Sequence, residues 1–326
     1  MRRAAKRRSA PPAKAVPRGP VAVPGKGKDH VGTAILPTDP ALAAKAAVLI
    51  EALPYLRRFR GATVVIKYGG AAMSEPALRD SFAEDVTLLE HVGLHPVVVH
   101  GGGPELTDTL RRLGIESQFV DGHRVTDAET ADIAQMVLCG RVNKELVARL
   151  VRAGARAVGL SGTDAGLLRV RRLAPEGRDI GFVGTPESVD HAVLQALLER
   201  GFLPVVAPTA DGPGGQVYNV NADLVAAAVA AALRAEKLVY LSDVPGLVLG
   251  GAIAERIAPA DVRRALASGE ATGGMRPKLE AALDAIATGV KRVHLVDGRV
   301  AHALLLEVFT RKGVGTLIQA AEEERA

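Results

Sequence analysis

Twice in this chain a run of branched apolar residues stops abruptly at glycines. Val64-Val65-Ile66-Lys67-Tyr68 runs into Gly69-Gly70, and Val97-Val98-Val99-His100 runs into Gly101-Gly102-Gly103-Pro104. Each run reads as a buried strand, and in open α/β sheets ligands sit at the carboxyl ends of strands. Glycines at that end let backbone N–H groups approach an anion, and Lys67 adds a point charge. The two turns are expected to face one another across a phosphate-handling cleft.

Around them, strand and helix patterns alternate. Asp39 and Pro40 cap an amphipathic stretch, Ala41–Arg60, with Leu49, Leu53 and Leu56 on one stripe; it is a packing helix or an oligomer arm. From Thr63 the order is strand, helix 75–93, strand Pro96–His100, helix Glu105–Leu113, and a loop or hairpin over Gln118–Thr126. A long helix Asp127–Ala153 and a short strand Ala157–Leu160 come next. Antiparallel material follows over 167–186, then helix 188–200 and strand Leu203–Ala207. After a turn at Asp211–Gly215 come an alanine-rich helix to Ala235, strand Lys237–Leu241, helix Ala260–Ser268, a flexible segment Ala271–Gly274, helix Pro277–Thr288 and a last strand Arg292–Val296. This βα order predicts a largely parallel sheet covered on both faces. A lobe boundary is placed near residues 205–215.

Charge separates the body from its start. The first 28 residues hold nine Lys or Arg and no acid, enough to turn a net +5 into a body of −4. This Pro-, Ala- and Gly-rich tail is expected to be disordered. It reads as an electrostatic arm, an organellar transit peptide or a solvated extension, and the last is preferred. No apolar region follows Arg2-Arg3 as an export signal would require, and no run is long enough to span a membrane. Aromatics are 3% of the chain with no Trp, which argues against platforms for single-stranded nucleic acid. The single Cys139 excludes an intramolecular disulfide and argues against a Cys-based zinc site. A reducing, cytoplasmic setting is expected.

The chemistry-bearing residues fit phosphoryl transfer. There is no GxxxxGK[ST] and no GxGxxG after a strand. Phosphoryl transfer needs cations and N–H donors around a spreading anionic transition state, and little covalent chemistry. Lys67 interrupts an apolar strand just before glycines. Lys278 stands at a helix start, where a positive charge opposes the macrodipole, so a function explains it better than local stability. Asp223, following Asn219 and Asn221, either holds two ammoniums apart, caps a helix, or does both. Arg124, after Gly122, either forks onto a substrate carboxylate or pairs with Asp121 or Asp127.

Taken together, the segments VVIKYGGAAM (64–73), VVVHGGGPEL (97–106), GHRVTDAET (122–130), NKELV (143–147), YNVNADLVA (218–226), KLVYLSDVPGL (237–247), GGMRPKLEAAL (273–283) and HALLLEVFTRKGVGTLI (302–318) resemble, in chain order, the amino acid kinase superfamily and within it the acetylglutamate kinases. The likeness covers roughly residues 40–318.

That resemblance implies a three-layer αβα sandwich with a mainly parallel open central sheet, preceded by an N-terminal helix. It implies a division into a basic tail (1–38), an oligomerisation helix (39–60), an acyl-acceptor lobe (61–208) and an ATP-binding lobe with an effector region (209–326). The implied reaction phosphorylates the γ-carboxylate of N-acetyl-L-glutamate with ATP, its Mg2+ held by the ATP phosphates rather than by a protein metal site. Lys67 and Lys278 would stabilise the transition state, Asp223 would organise them, and Gly70, Gly102 and Gly103 would donate N–H groups. Arg124 would clamp the α-carboxylate, and Asn219 would bind the acetylglutamate. Gly69, Ser242, Asp243, Gly246, Gly274 and Met275 would lie at the nucleotide. The resemblance extends to an arginine-sensitive branch, which implies a homohexamer built as a trimer of dimers and an L-arginine site at Lys237, His302 and Glu307. Three residues depart from the family pattern: His123, Thr185 beside Pro186, and Arg276, two of them near the expected acceptor site. A kinase for carrier-bound α-aminoadipate and a non-catalytic arginine or nucleotide sensor are the competing readings.

Overall fold

The computed structural model describes residues 39–271, 275–310 and 313–320. The basic tail, residues 272–274, residues 311–312 and the last six residues lie outside the described residues.

The branched runs form strands as expected. Among the described residues eight strands make the central sheet: β1 (Thr63–Tyr68), β2 (His95–His100), β3 (Ala157–Ser161), β4 (Leu203–Ala207), β5 (Lys237–Ser242), β6 (Arg256–Ile257), β7 (Val293–Asp297) and β8 (Thr316–Ile318). Their order across the sheet is β6-β8-β7-β5-β1-β2-β4-β3, parallel throughout except where β7 meets β8. The chain fills β2, β4 and β3 on one side of β1 and then crosses to β5 on the other. The crossing leaves a crevice at the carboxyl ends of β1, β2 and β5. Arg292–Val296 was expected to be the last strand, but the short β8 follows it and turns antiparallel. Two- and three-residue strands such as β6 and β8 carry no readable period.

Side-chain alternation sorts the core into two faces. Val64, Ile66, Tyr68, Val98 and Val239 pack under helices 76–91, 103–112 and 303–309. Val65, Val97, Val99, Leu238 and Tyr240 pack under helices 192–199, 222–232 and 275–287. Each fully buried Val or Ile stabilises by roughly 1.5–3 kcal/mol, so the lysine in β1 forgoes stability that an apolar residue would give.

Three local features position the site. Of the loop or hairpin expected over Gln118–Thr126, a hairpin forms: Phe119–Val120 pairs with His123–Arg124, turning through Asp121 at φ 49° and Gly122 at φ 78°. The strands Leu168–Arg172, Val183–Val189, Thr209–Asp211 and Val217–Val220 close into a small barrel beside the sheet. Helix 128–152 is continuous as expected, but its centre, Met136–Val142, is a π-helical turn. Helix Pro40–Phe59 leaves Val48, Leu49, Ile50 and Leu53 exposed. No helix among the described residues is long and apolar enough to cross a membrane.

Candidate active site

Alternation along β1 points Lys67 to the same face as Val65, towards the start of helix 222–232. Asn221 caps that helix, its side-chain oxygen accepting from the Asp223 N–H at 2.8 Å. The expected capping role thus falls to Asn221, and the Asp223 side chain is left for other work. Tyr240 pins the same turn by donating to the Asp223 carbonyl at 3.2 Å. Helix 275–287 runs alongside and brings Lys278 into reach. Its ammonium donates to Asp223 Oδ2 at 2.7 Å, and Lys67 Nζ lies 3.1 Å from Oδ1 as an ion pair without hydrogen-bond alignment. Burial pushes the Asp223 carboxyl up, but Lys67 and Lys278 together outweigh it and hold the group below the usual carboxylate range. Two cations therefore share one anion, which leaves a surplus positive charge at the crevice.

The glycine corners stand beside this trio. The Gly101 N–H donates to the Tyr68 carbonyl at 2.7 Å, so the corners abut directly rather than across open space. A Cβ on Gly69 would lie 2.7 Å from Lys67 Nζ. Gly70 has φ +66°, and any side chain there would run into the Asp243 carboxylate. Ser242 ends β5, buried, with Asp243 next to it. Gly246 packs against Thr316, whose hydroxyl accepts from the Leu247 N–H at 2.9 Å. Met275 opens helix 275–287, while Gly274 lies outside the described residues.

A cavity of about 230 Å³ extends from Lys67 and Asp223 past Gly102 and Gly103 to Arg124, with Asn219 on its wall. Arg124 is 7% exposed. It donates to the Ser117 hydroxyl, to Thr107 Oγ1 at 2.7 Å and to the Gly103 carbonyl at 3.2 Å, and lies 4.8 Å from the Phe119 ring centroid. Neither expected carboxylate reaches it: Asp121 pairs with Arg178, and Asp127 accepts from the Thr130 N–H. Among the described residues Arg124 meets no carboxylate, and burial lowers its pKa. Of the three departures only His123 lines this cavity. Thr185 lies in the barrel opposite Arg171, and Arg276 pairs with Glu280 at 3.0 Å on an exposed helix face.

A second cavity, about 420 Å³, brings Lys237 and Glu307 together but not His302. The histidine between them is His294. Its Nδ1 is 2.6 Å from Glu307 Oε1, and its Nε2 is 3.5 Å from Lys237 Nζ. His302 starts helix 303–309, more than one turn before Glu307. There its Nδ1 pairs with Asp85 at 2.6 Å, and its N–H donates to the Ser81 hydroxyl at 2.7 Å. The sequence did hold a signal for His294: like Lys67, it is a polar residue interrupting a buried strand. Burial lowers the Lys237 pKa to about 8. Among the described residues no group of three or more His, Cys, Asp or Glu could hold a metal.

Residues 62–297 match the amino acid kinase family. Acetylglutamate kinase of Symbiobacterium thermophilum is 54% identical over 284 residues, which are 84% of this chain and 97% of that protein. Acetylglutamate kinase of Geotalea uraniireducens is likewise 54% identical, over 84% of this chain and 97% of its own. Among solved structures, N-acetylglutamate synthase from Neisseria gonorrhoeae, complexed with coenzyme A and N-acetyl-glutamate, superposes with a TM-score of 0.76 at 30% identity. The match covers 84% of this chain and 63% of that one, so this chain spans less than two thirds of the synthase. With the family pattern running through nearly the whole sheet and both glycine corners, the chain belongs to the amino acid kinase family.

Proposed function

We propose that this chain transfers the γ-phosphoryl group of ATP to the γ-carboxylate of N-acetyl-L-glutamate, giving N-acetyl-L-glutamyl 5-phosphate for arginine biosynthesis in the cytoplasm. The observation that carries the reading is a cavity lined at one end by Lys67 and Asp223, the carboxylate that Lys278 also holds, and at the other by a buried Arg124 that meets no carboxylate among the described residues. The acceptor has two carboxylates, one to be clamped and one to react.

In this reading Arg124 forks onto the α-carboxylate, Asn219 holds the acetylated end, and the γ-carboxylate faces Lys67. A γ-carboxylate oxygen forms the new P–O bond while the bond to the departing ADP oxygen breaks. No base is needed, because the carboxylate is already ionised at pH 7. Lys67, Lys278 and the N–H groups of Gly70, Gly102 and Gly103 receive the spreading negative charge. Asp223 keeps the ammoniums from repelling one another. Gly69, Ser242, Asp243, Gly246, Met275 and Gly274 border the nucleotide. Both Asp223 oxygens face ammoniums, so the donor set suits Mg2+ carried on ATP phosphates rather than caged by the protein. There it would neutralise phosphate charge.

The Lys237–His294–Glu307 cavity is proposed to take L-arginine as a feedback inhibitor, Glu307 accepting the guanidinium and Lys237 the carboxylate. The exposed row Val48, Leu49, Ile50 and Leu53 supports contact with a second copy of the chain, with the hexamer as the assembly to seek by sedimentation.

The deciding experiment traps acyl phosphate with hydroxylamine and compares acetylglutamate, glutamate, aspartate and acetylaminoadipate. Acetylglutamate is expected to give the highest kcat/KM. Lys67→Ala and Lys278→Ala are each expected to lose roughly 10²–10³-fold in kcat. Wild-type turnover in both variants would remove the mechanism, and a preference for acetylaminoadipate would move the substrate.

A further inference from the structure

Beneath the second glycine corner lies a side chain that the reaction as drawn does not use. His100 ends β2, is fully buried, and alternates with Val98, so its ring lies on the sheet face opposite Lys67. Its Nδ1 is 2.6 Å from the carbonyl oxygen of Gly101. Its Nε2 is 3.1 Å from Asn143 Nδ2, which also donates to the Val205 carbonyl at 2.9 Å and lies 3.4 Å from the Leu160 carbonyl. A carbonyl can only accept, so the Val205 bond fixes which end of the Asn143 amide faces the ring. The Gly101 carbonyl likewise only accepts, so the ring proton sits on Nδ1 and Nε2 is left to accept from the Asn143 amide nitrogen. Burial lowers the ring's pKa to about 4, against the bond to Gly101, so the ring is neutral at physiological pH.

The consequence lies across one peptide bond. The Gly101 carbonyl and the Gly102 N–H belong to the same planar trans unit and point in opposite directions. Drawing the carbonyl towards His100 turns the Gly102 N–H to the other face, where Lys67 and the acceptor cavity lie. Gly102 is buried, and its N–H has no acceptor among the described residues. Two glycines in succession would otherwise let this peptide rotate at little cost.

We propose that His100, held in its Nδ1–H form by Asn143, is a positioning residue that aims the Gly102 N–H at the reacting carboxylate or its transferred phosphoryl group. This rests on the acetylglutamate kinase reading of the cavity.

Two isosteric amides test it. The amide nitrogen of His100→Asn takes the place of Nδ1 and can still donate to Gly101, whereas His100→Gln sets its amide oxygen in the place of Nε2, accepting from Asn143, and has no donor at Gly101. His100→Gln is expected to lose roughly 10–100-fold in kcat/KM for acetylglutamate, with the KM for ATP within about twofold, and His100→Asn to recover most of that loss. Equal losses in the two variants at equal melting temperature, or equal rises in both KM values, would overturn the proposal. Should either variant fail to fold, the wild-type protein answers by long-range ¹H–¹⁵N spectra of its histidines. An Nδ1–H ring at pH 7 is expected, and an Nε2–H or doubly protonated ring overturns the idea. If wild type makes no acyl phosphate from acetylglutamate, the substrate reading fails. The tautomer and the Asn-over-Gln order, scored with whichever carboxylate is turned over, still decide the role of His100.

Discussion

The Lys278 ammonium stands 2.7 Å from Asp223 Oδ2, although 55 residues separate the two in the chain. With Lys67 on the other oxygen, Asp223 is the counterion for both. Asp223→Asn keeps the shape and the Asn221 cap but leaves two ammoniums facing each other. A loss of roughly 10²–10³-fold in kcat is expected, together with about 3–5 kcal/mol of stability at pH 7 in urea titrations. The folded-state pKa is depressed, so the carboxylate's stabilisation is present above the unfolded value of about 4 and lost as pH falls through the folded one. The stability gap between wild type and variant should therefore close in acid.

Gly69→Ala separates position from fold. The new methyl would meet Lys67 Nζ, the free end of a flexible side chain, so the fold can absorb it by moving the ammonium. We expect kcat to fall by roughly tenfold or more, with stability within about 1 kcal/mol of wild type. Unchanged turnover would mean that Lys67 tolerates displacement.

Arg124→Lys keeps the charge and removes the planar fork that reaches Ser117 and Thr107. An ammonium cannot grip a carboxylate with two parallel bonds. The KM for acetylglutamate is expected to rise roughly 10–100-fold while that for ATP stays within about twofold. Equal rises in both would place Arg124 outside the acceptor subsite.

Lys237 gives the effector reading a pH signature. Burial first, then Arg292 and Arg58, lower its pKa to about 8, against Glu307 and Glu236. Burial raises the Glu307 carboxyl, but the His294 hydrogen bond and the other contacts outweigh it, so the group stays ionised; burial keeps His294 neutral above pH 7. Lys237 is therefore the group that changes charge in this window, protonated below about 8 and neutral above. The arginine concentration giving half-inhibition should rise about tenfold between pH 7 and pH 9, each rate referred to the uninhibited enzyme at that pH. A flat profile would detach Lys237 from the effector carboxylate.

Much of the fold could be read from residues because β1, β2, β4, β5 and β7 are runs of branched side chains long enough to show a period. Lys67 stood out for a related reason: a charge inside such a run opposes burial and asks for an explanation. The residues offered Asp223 as a counterion to two ammoniums only beside a helix-cap alternative, because its meeting with Lys278 depends on how two helices pack. His302 was expected at the effector cavity because it opens the segment containing Glu307, yet helix 303–309 carries the two to different ends. His294 and His100 were passed over as strand residues, although His294 breaks an apolar run as Lys67 does and His100 closes one.

The widened turn at Met136–Val142 sets the phase of everything after it in that helix. A π-turn holds one residue more than an α-turn, so deleting one residue here would let the helix close as plain α with Asn143 still facing the His100 ring, whereas inserting another would swing Asn143 by about 100° around the helix axis. One extra codon, in a segment that supplies no proposed ligand for ATP, would then turn Asn143 from the ring and Leu146 and Leu150 from the core together.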